Sequence, residues 1–265
     1  MNPVTVDALE DVQSQSDSRG VVIDEVGIAD LRLPIRVAGP GGIEQATVAS
    51  IAMNVALDAA TKGTHMSRFV EVVAAHREAI DLAALGHIAR ELRERLGSST
   101  ARIAMEFPYF LERSAPVTGG TAPLEYRGRM CAVARDAATL SVGVRVPVAS
   151  LCPCSKEISD YGAHNQRGHV DVDVVCRRGE IVWIEDLVGA AEAAASAPLY
   201  ALLKRPDERF VTMQAYENPA FVEDIARDVA VTLRDDDRVE RFAVTVTNLE
   251  SIHAHNAVAT IRGRR

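Results

Sequence analysis

The stretch LSVGVRVPVASLCPCSKEISDYGAHNQRGHVDVDVVC, residues 140–176, contains two alternating segments separated by a polar loop. In residues 140–151 and again in 168–176, apolar side chains recur at every second position, which is the period of a half-buried β-strand. Such alternation is typical of antiparallel sheets that bury one face. The stretch therefore predicts two strands, with a polar loop presented at the end where the first strand stops.

The sequence before and after this stretch also shows apolar side chains at strand-like or helix-like spacing. Strand-like alternation occurs at residues 21–37, 43–57, 101–113, 124–136 and within 241–263. Helical spacing of apolar side chains occurs at residues 67–96, 184–196 and 218–235. In the last of these, Asn218 followed by Pro219 predicts the N-cap and the first helical position. Each half of the chain therefore predicts the order strand–strand–helix–helix–strand–strand.

The repeated order predicts an α+β protein built from two tandem ββααββ-like modules. We expect the first module at residues 23–137 and the second at 138–265, with antiparallel sheets that carry helices on one face. The second module holds the polar loop and is expected to carry most of the active site. Residues 1–22 are polar and acidic, which predicts a mobile tail.

Composition and charge exclude several classes of protein. The chain has 265 residues and a net charge of −8, whereas non-specific nucleic-acid binding needs a basic surface, so no nucleic-acid partner is expected. No apolar run approaches the roughly 18 residues of a membrane span, and the first residues do not form a signal peptide. These features predict a cytoplasmic protein without membrane contact. Thiols stay reduced there, so the four cysteines indicate core, metal or nucleophile roles.

The polar loop at 152–168 is the densest group of reactive side chains. It begins with Cys152-Pro153-Cys154, a spacing too tight for a comfortable disulfide. The alternative is a turn with two packed cysteines and solvated polar groups, but packed cysteines rarely need Lys156 and His164 beside them. The loop therefore favours a thiolate metal ligand or a nucleophile.

Three further polar clusters have weaker chemical meaning on their own. Residues 248–256 contain His253 and His255, which are equally compatible with a metal site and with a solvated surface. Residues 202–210 predict a charged loop. Residues 61–68 precede a helix and carry cationic side chains, which suits a phosphate cradle as well as ordinary capping.

Five segments of this chain together resemble the type IB GTP cyclohydrolase family. They are SLCPCSKEISDYGAHNQRGHV, THMSRF, LLKRPDE, YENPAFVEDIARDV and NLESIHAHNA. The resemblance runs in order from about residue 25 to the end. It implies two tunnelling-fold modules in one chain, and homotetramers with active sites at subunit interfaces. It also implies hydrolysis of GTP to 7,8-dihydroneopterin triphosphate and formate, the first step of tetrahydrofolate biosynthesis.

The resemblance also implies a role for particular residues. Cys152, Glu208 and His253 look like the ligands of one divalent metal per active site, and Glu250 lies close to that metal in the family. His164 looks like a catalytic acid and base, with Cys152 the other catalytic residue. Glu223 looks like the carboxylate that anchors the guanine edge. The side chains available for the triphosphate are Lys62, His65, Arg68, Lys156, Arg167, Lys204 and Arg205.

These residue types suit the opening of a purine ring. A divalent metal lowers the pKa of bound water from about 16 toward about 7, and three protein ligands leave a position for that water. A thiolate, a carboxylate and an imidazole are compatible with Zn, Mn or Fe(II), so ligand type does not select the metal. An imidazole exchanges protons near neutral pH, as the breaking of a ring C–N bond requires.

Other functions remain open at this point. A deazapurine nitrile reductase of the same superfamily uses a cysteine nucleophile and NADPH, and would hold no metal. An archaeal-type cyclohydrolase would release a cyclic phosphate. A non-catalytic zinc-binding or purine-binding module would bind without turnover, but a structural zinc site closes its fourth position with another ligand.

Overall fold

Residues 10–265, which this computed structural model describes, form nine strands and six α-helices. The strands are β1 (Ile23–Ala38), β2 (Glu44–Leu57), β3 (Ala101–Ser114), β4 (Thr121–Ala134), β5 (Ala138–Leu151), β6 (Asn165–Cys176), β7 (Ala197–Pro198), β8 (Val239–Asn248) and β9 (Ala257–Arg264). The helices are α1 (Met66–Ala75), α2 (Leu82–Arg95), α3 (Pro153–Ile158), α4 (Ile184–Ala194), α5 (Arg205–Glu217) and α6 (Val222–Asp235). Within these residues, no helix combines the length and the apolar character needed to cross a membrane.

The strands build one antiparallel sheet in the order β1-β2-β3-β4-β5-β6-β8-β9, while the short β7 pairs with β5. The strands predicted within 140–151 and 168–176 are confirmed as β5 and β6, which pair from Ser141–Val175 to Leu151–Asn165. The predicted pair of sheets is replaced by a continuous one, because β4 at the end of the first half pairs with β5 at the start of the second.

Helices cover one face of this sheet, as predicted. In β5, Val142, Val144, Val146 and Val148 are at most 3% exposed, and strand alternation directs all four to that face. Burial of each such side chain stabilises the fold by about 1.5–3 kcal/mol, so this face fixes the strand register. The helices contribute further buried residues, namely Phe69, Leu85, Ile88, Leu92, Leu187, Val188, Ile225 and Val229.

Charged side chains line the opposite face, which no helix among the described residues covers. Arg129 donates to Asp171 and to Asp173 at 3.1 Å each, and Arg145 donates to Asp171 at 3.0 Å. These contacts join β4, β5 and β6 across the sheet. Opposite charges in such cross-strand positions stabilise neighbouring strands, so the polar face is also ordered.

The two halves differ in their helices. Residues 23–134 follow the order ββααββ, whereas the second half adds the short helix α3 after β5 and places α4, α5 and α6 between β6 and β8. The prediction of a charged loop at 202–210 is wrong, because helix α5 begins at Arg205. Its buried Asp207 accepts the N–H groups of Lys204 at 2.9 Å and of Val117 and Thr118 at 2.9 and 2.8 Å.

Asp207 therefore fixes the start of α5 against the turn that joins β3 to β4. Burial by itself would raise the pKa of this carboxyl, but the hydrogen bonds from Thr118, Lys204 and Val117 outweigh burial and lower the pKa. The charged form is thus the one that these donors stabilise. Because Val117 and Thr118 lie about 90 positions away in the chain, local periodicity gave no sign of this anchor.

Helix α6 begins at Val222, three residues later than the predicted first position Pro219. Its N-cap is Phe221, whose N–H donates to the Asp224 carboxylate at 3.1 Å, and Asn218 is the C-cap of α5 instead. The predicted role of Asn218 is therefore wrong. Asp224, three positions after Phe221, accepts the N–H of this N-cap residue, which would otherwise lack a partner. Asn218 has no acidic residue three positions after it.

The N-terminal segment lies against the chain near residue 62. We expected a mobile tail at residues 1–22; residues 1–9 lie outside the described part, and residues 10–17 are hydrogen-bonded. The N–H groups of Lys62 and Gly63 donate to the carbonyls of Gln15 and Gln13 at 3.1 Å each. The N–H of Asp17 donates to the carbonyl of Ala60 at 2.9 Å. These bonds hold residues 13–17 against the segment that follows β2.

Candidate active site

The polar loop after β5 folds back on itself and brings Cys152 beside His164. The N–H of Cys152 donates to the carbonyl of His164 at 3.1 Å, and the N–H of His164 donates to Ser155 Oγ at 3.3 Å. Cys152 is also the N-cap of α3, where its Sγ accepts the N–H of Ser155 at 3.4 Å. Both side chains are partly exposed, so a thiol and an imidazole face solvent at this end of the sheet.

The ring of His164 is held from two sides. Its Nδ1 lies 2.9 Å from Gln166 Oε1 and 3.4 Å from Ser251 Oγ. Gln166 is 8% exposed and belongs to β6, whereas Ser251 belongs to the loop between β8 and β9. The two strands predicted within residues 241–263 are confirmed as β8 and β9, and the loop between them, which also contains Glu250 and His253, contacts His164 through Ser251.

A buried polar relay ties the segments of the site together. Asn248 Nδ2 donates to Ser150 Oγ at 2.8 Å, and the Ser150 hydroxyl donates to the carbonyl of Ala220 at 3.1 Å. The N–H of Ala220 donates to the carbonyl of Leu151 at 3.1 Å. The relay thereby joins the ends of β5 and β8 to the segment that leads into α6. Buried polar groups are costly without partners, so these bonds hold the three segments at one corner.

Glu223 and Lys156 lie on helices beside this corner. Glu223 is exposed in the first turn of α6, two residues after the N-cap Phe221. The Nζ of Lys156 donates to the backbone carbonyl of Tyr216 at 2.6 Å and lies 4.3 Å from the centre of the Tyr216 ring. Lys156 thus joins α3 to the last turn of α5. Glu223, for which the resemblance implies a role at the guanine edge, is exposed beside this corner.

The predicted metal ligands Cys152, Glu208 and His253 lie on three separate segments of the chain. Among residues 10–265, no group of three His, Cys, Asp or Glu side chains is placed to hold a metal ion. Glu208 is exposed on α5. It lies eight residues, or about 12 Å at 1.5 Å per residue, before Tyr216, the residue of α5 that Lys156 contacts. His253 is exposed and its ring stacks on that of His255, with 5.2 Å between the centres.

The basic residues predicted to bind the triphosphate fall into two groups. Lys156 and Arg205 lie at the Cys152 end of the sheet, together with Lys204 and Arg167. Lys62 and His65 lie between β2 and α1, and Arg68 lies in the first turn of α1, all at the opposite end. β5 spans 14 residues at about 3.3 Å each, so the two groups lie at opposite ends of a sheet that is about 45 Å long at this strand.

The second basic group already has partners among the described residues. Lys62 Nζ donates to Gln15 Oε1 at 2.7 Å, and His65 Nε2 lies 3.2 Å from the Asp11 carboxylate. Arg68 is exposed and, with His65, lines a cavity of about 180 Å³. Arg68 is therefore the member of this group that is best placed for an anion from outside the chain.

Larger cavities lie elsewhere. Two of them, of about 400 and 500 Å³, are on the helix-free face of the sheet and are lined by residues such as Arg129, Cys131, Arg241 and Arg262. Neither is lined by Cys152 or His164. The Cys152 corner is the stronger candidate because it brings a thiol and an imidazole together, whereas the arginines and aspartates of the sheet face largely pair with one another.

Sequence reasoning missed Gln166, Ser251 and Asn248 as members of the site. Gln166 and Asn248 stand at strand positions whose side chains face the covered side of the sheet, where apolar residues are usual. A polar side chain at a buried position of an alternating strand was the available signal. Ser251 lies in a loop and gave none.

The fold and the site together define an enzyme of mixed α/β structure, with a thiol, an imidazole and carboxylates at one end of an antiparallel sheet. Uricase from Arthrobacter globiformis has a similar fold, with a TM-score of 0.53 at 9% identity over 91% of this chain and 93% of that chain. A thermostable uricase mutant gives the same TM-score of 0.53 over 92% of each chain.

Sequence comparison identifies the family. Residues 9–259 match the family model described as type I GTP cyclohydrolase FolE2. The GTP cyclohydrolase FolE2 of Nitrosococcus oceani is 47% identical over 98% of both chains, and that of Methylococcus capsulatus is 49% identical over 96% of this chain and 94% of its own. The chain belongs to the type I GTP cyclohydrolase FolE2 family.

Proposed function

We propose that this GTP cyclohydrolase opens the imidazole ring of GTP with the help of a divalent metal held by Cys152, Glu208 and His253. The products are 7,8-dihydroneopterin triphosphate and formate, and the reaction is the first step of tetrahydrofolate biosynthesis. The observation that carries the proposal is the convergence of Cys152, His164 and the loop of His253 on one corner, in a chain that matches its family over residues 9–259.

The donor set fits a catalytic metal. One thiolate, one carboxylate and one imidazole give three protein ligands. Glu250 lies on the same loop as His253, after β8. Among residues 10–265 no three such side chains are placed together, so assembly of the ligands needs movement of the exposed Glu208 and His253 or a contribution from a second chain. When bound, the metal would lower the pKa of a water molecule to about 7 and supply hydroxide. Zn, Mn and Fe(II) are all compatible with this set.

His164 moves protons during ring opening. As the oxygen of water bonds to C8, a proton of that water passes to Nε2 of His164. The imidazolium returns the proton to the ring nitrogen whose bond to C8 breaks, and loss of formate requires a second transfer of the same kind. An imidazole suits both directions because its usual pKa lies near neutral pH.

Glu223 recognises the guanine edge. A carboxylate accepts two hydrogen bonds, from N1–H and from the 2-amino group, and adenine offers no such pair of donors. Lys156 and Arg205 lie at the same end of the sheet. They can meet part of the triphosphate, whose charge is about −4.

We infer that each active site is shared between subunits of a homotetramer, with Arg68, His65 and Lys62 coming from a second chain. The position of the two basic groups at opposite ends of the sheet supports this arrangement. The outer edges of the sheet also carry complementary charges: β1 begins with Asp24 and Glu25, and β9 ends with Arg262 and Arg264 at the same end of the sheet. Unpaired edges of this kind favour pairing with another copy.

A complementation experiment tests the shared site. Cys152→Ala and Arg68→Ala are each expected to be inactive alone. If each site takes Cys152 from one chain and Arg68 from another, co-expression of the two variants should restore about a quarter of the sites. Half of the chains carry an intact Cys152 and the other half an intact Arg68, so both residues are intact in about one site in four. Mixed oligomers that stay inactive would place both residues in the same chain or remove Arg68 from the site.

We also infer that residues 23–137 and 138–265 are two tunnelling-fold modules, supported by the ββααββ order of the first and the added helices of the second. The four cysteines are free thiols in the described structure, which is consistent with a place in the reducing cytoplasm.

The proposed chemistry is tested by metal reconstitution. The purified enzyme is stripped with a chelator and incubated with GTP and each of Zn, Mn and Fe(II). We expect the stripped enzyme to be inactive and at least one metal to restore formate and a fluorescent oxidised pterin. A triphosphorylated product separates this reaction from the formation of a cyclic phosphate. Full activity of the metal-free enzyme would refute the proposed requirement for a divalent metal.

A further inference from the structure

Gln166 lies at the first inward position of β6, directly against the imidazole of His164. It is 8% exposed, and its backbone pairs with Ser150 of β5. Its Oε1 lies 2.9 Å from Nδ1 of His164, which is a full-strength hydrogen-bond distance. Among the described residues, no hydrogen bond involves Nε2 of this ring, so the two ring nitrogens have different environments.

We propose that Gln166 is a positioning residue that fixes the tautomer of His164, an inference that rests on the proposed role of His164. An amide oxygen only accepts hydrogen bonds, so Nδ1 of the neutral ring carries the hydrogen and donates it to Oε1. The lone pair of the ring is then at Nε2. The nitrogen on the open side is thereby the one that accepts a proton from water.

The second neighbour of Nδ1 agrees with this assignment. Ser251 Oγ lies 3.4 Å from the same nitrogen, and a hydroxyl oxygen accepts a hydrogen bond as readily as it donates one. Both polar partners of the ring therefore contact Nδ1. The strand around Gln166 is itself fixed, since Ser150 opposite is engaged by Asn248 and Ala220.

The tautomer matters because only one form has its lone pair toward the reacting atoms. With no acceptor at Nδ1, the proton is free to occupy either nitrogen. A neutral ring with its proton on Nε2 has its lone pair at Nδ1, so it cannot accept a proton at Nε2. A positioned general acid and base contributes about 10²–10⁴-fold to a rate. An incorrect tautomer is expected to lower the rate by up to this factor.

Two substitutions separate this role from simple packing. Gln166→Leu has a similar volume and removes the acceptor, whereas Gln166→Glu restores an acceptor oxygen at the same place. We expect Gln166→Leu to lower kcat by about 30–100-fold with KM and metal content within about twofold, and Gln166→Glu to regain kcat to within about tenfold of wild type. Asn165→Ala, an exposed neighbour on the same strand, is the control and should leave kcat unchanged.

A spectroscopic readout makes the inference independent of turnover. In the metal-free enzyme with ¹⁵N-labelled histidine, at a pH where the ring is neutral, the His164 signals are identified by their loss in His164→Gln. We expect a protonated Nδ1 and an unprotonated Nε2 in wild type, and a shift toward the other tautomer in Gln166→Leu. A wild-type ring protonated at Nε2, or a Gln166→Leu enzyme with unchanged kcat, would overturn the proposal. A wild-type enzyme that does not hydrolyse GTP would refute the proposed function, while the NMR result would still decide the tautomer.

Discussion

Replacing Cys152 by alanine is expected to lower kcat for GTP hydrolysis at least about a thousand-fold, the equivalent of about 4 kcal/mol in the transition state. The thiolate is one of three proposed ligands, and its loss leaves the metal with a carboxylate and an imidazole. We expect the metal content after dialysis to fall in parallel. Formate release and metal analysis of the purified variant measure both effects.

Cys154→Ala is the matched control for this change. Cys154 is exposed, lies two residues further along, and belongs to the first turn of α3. It should keep wild-type turnover and metal content. The fold of Cys152→Ala should survive, because Cys152 makes only a 3.4 Å contact with the N–H of Ser155 through its side chain. An active, metal-loaded Cys152→Ala enzyme would show that the ligand set is wrong.

Replacing Glu223 by glutamine is expected to lower kcat/KM for GTP by about a thousand-fold, mostly through KM. Each hydrogen bond to a charged group contributes about 1.5–3 kcal/mol, and two such bonds are weakened together. The amide nitrogen of glutamine would also face the donors of the guanine edge, where no acceptor remains for one of them. Steady-state kinetics with GTP, and metal content of the same preparations, separate substrate binding from metal binding.

Asp228→Asn is the control for Glu223. Asp228 is exposed further along α6, where its backbone carbonyl accepts the Thr232 hydroxyl at 3.1 Å and its carboxylate makes no hydrogen bond to the described residues. The same loss of charge at this position should leave KM unchanged. Unaltered KM in Glu223→Gln, or an equal loss of metal and substrate, would remove Glu223 from the guanine edge.

Much of the sheet was predictable because strand burial is recorded locally. The alternation at 140–151 and 168–176 gave β5 and β6 with their inward valines, since each position reports on its own face of the sheet. Helix α5 was missed because its amphipathic pattern is weak and its start depends on Asp207. The donors to that carboxylate, Val117 and Thr118, come from a turn about 90 positions away.

The candidate site divides in the same way. The polar loop identified Cys152 and His164, because thiol, imidazole and amine groups crowd into a short segment. The partners of His164 could not be read from that segment alone. Ser251 is 87 positions away from His164, and the relay between Asn248 and Ser150 spans 98 positions.

The sequence by itself determined the alternating strands, the reactive loop after β5 and the motifs of the family. Only the tertiary structure decided that both halves share one sheet, that the basic residues near Arg68 lie at the opposite end from Cys152, and that Gln166 and Ser251 contact the same nitrogen of His164. The physical reason is that periodicity records which side of an element is buried. Which ends and side chains meet depends on the path of the chain and on hydrogen bonds between distant segments.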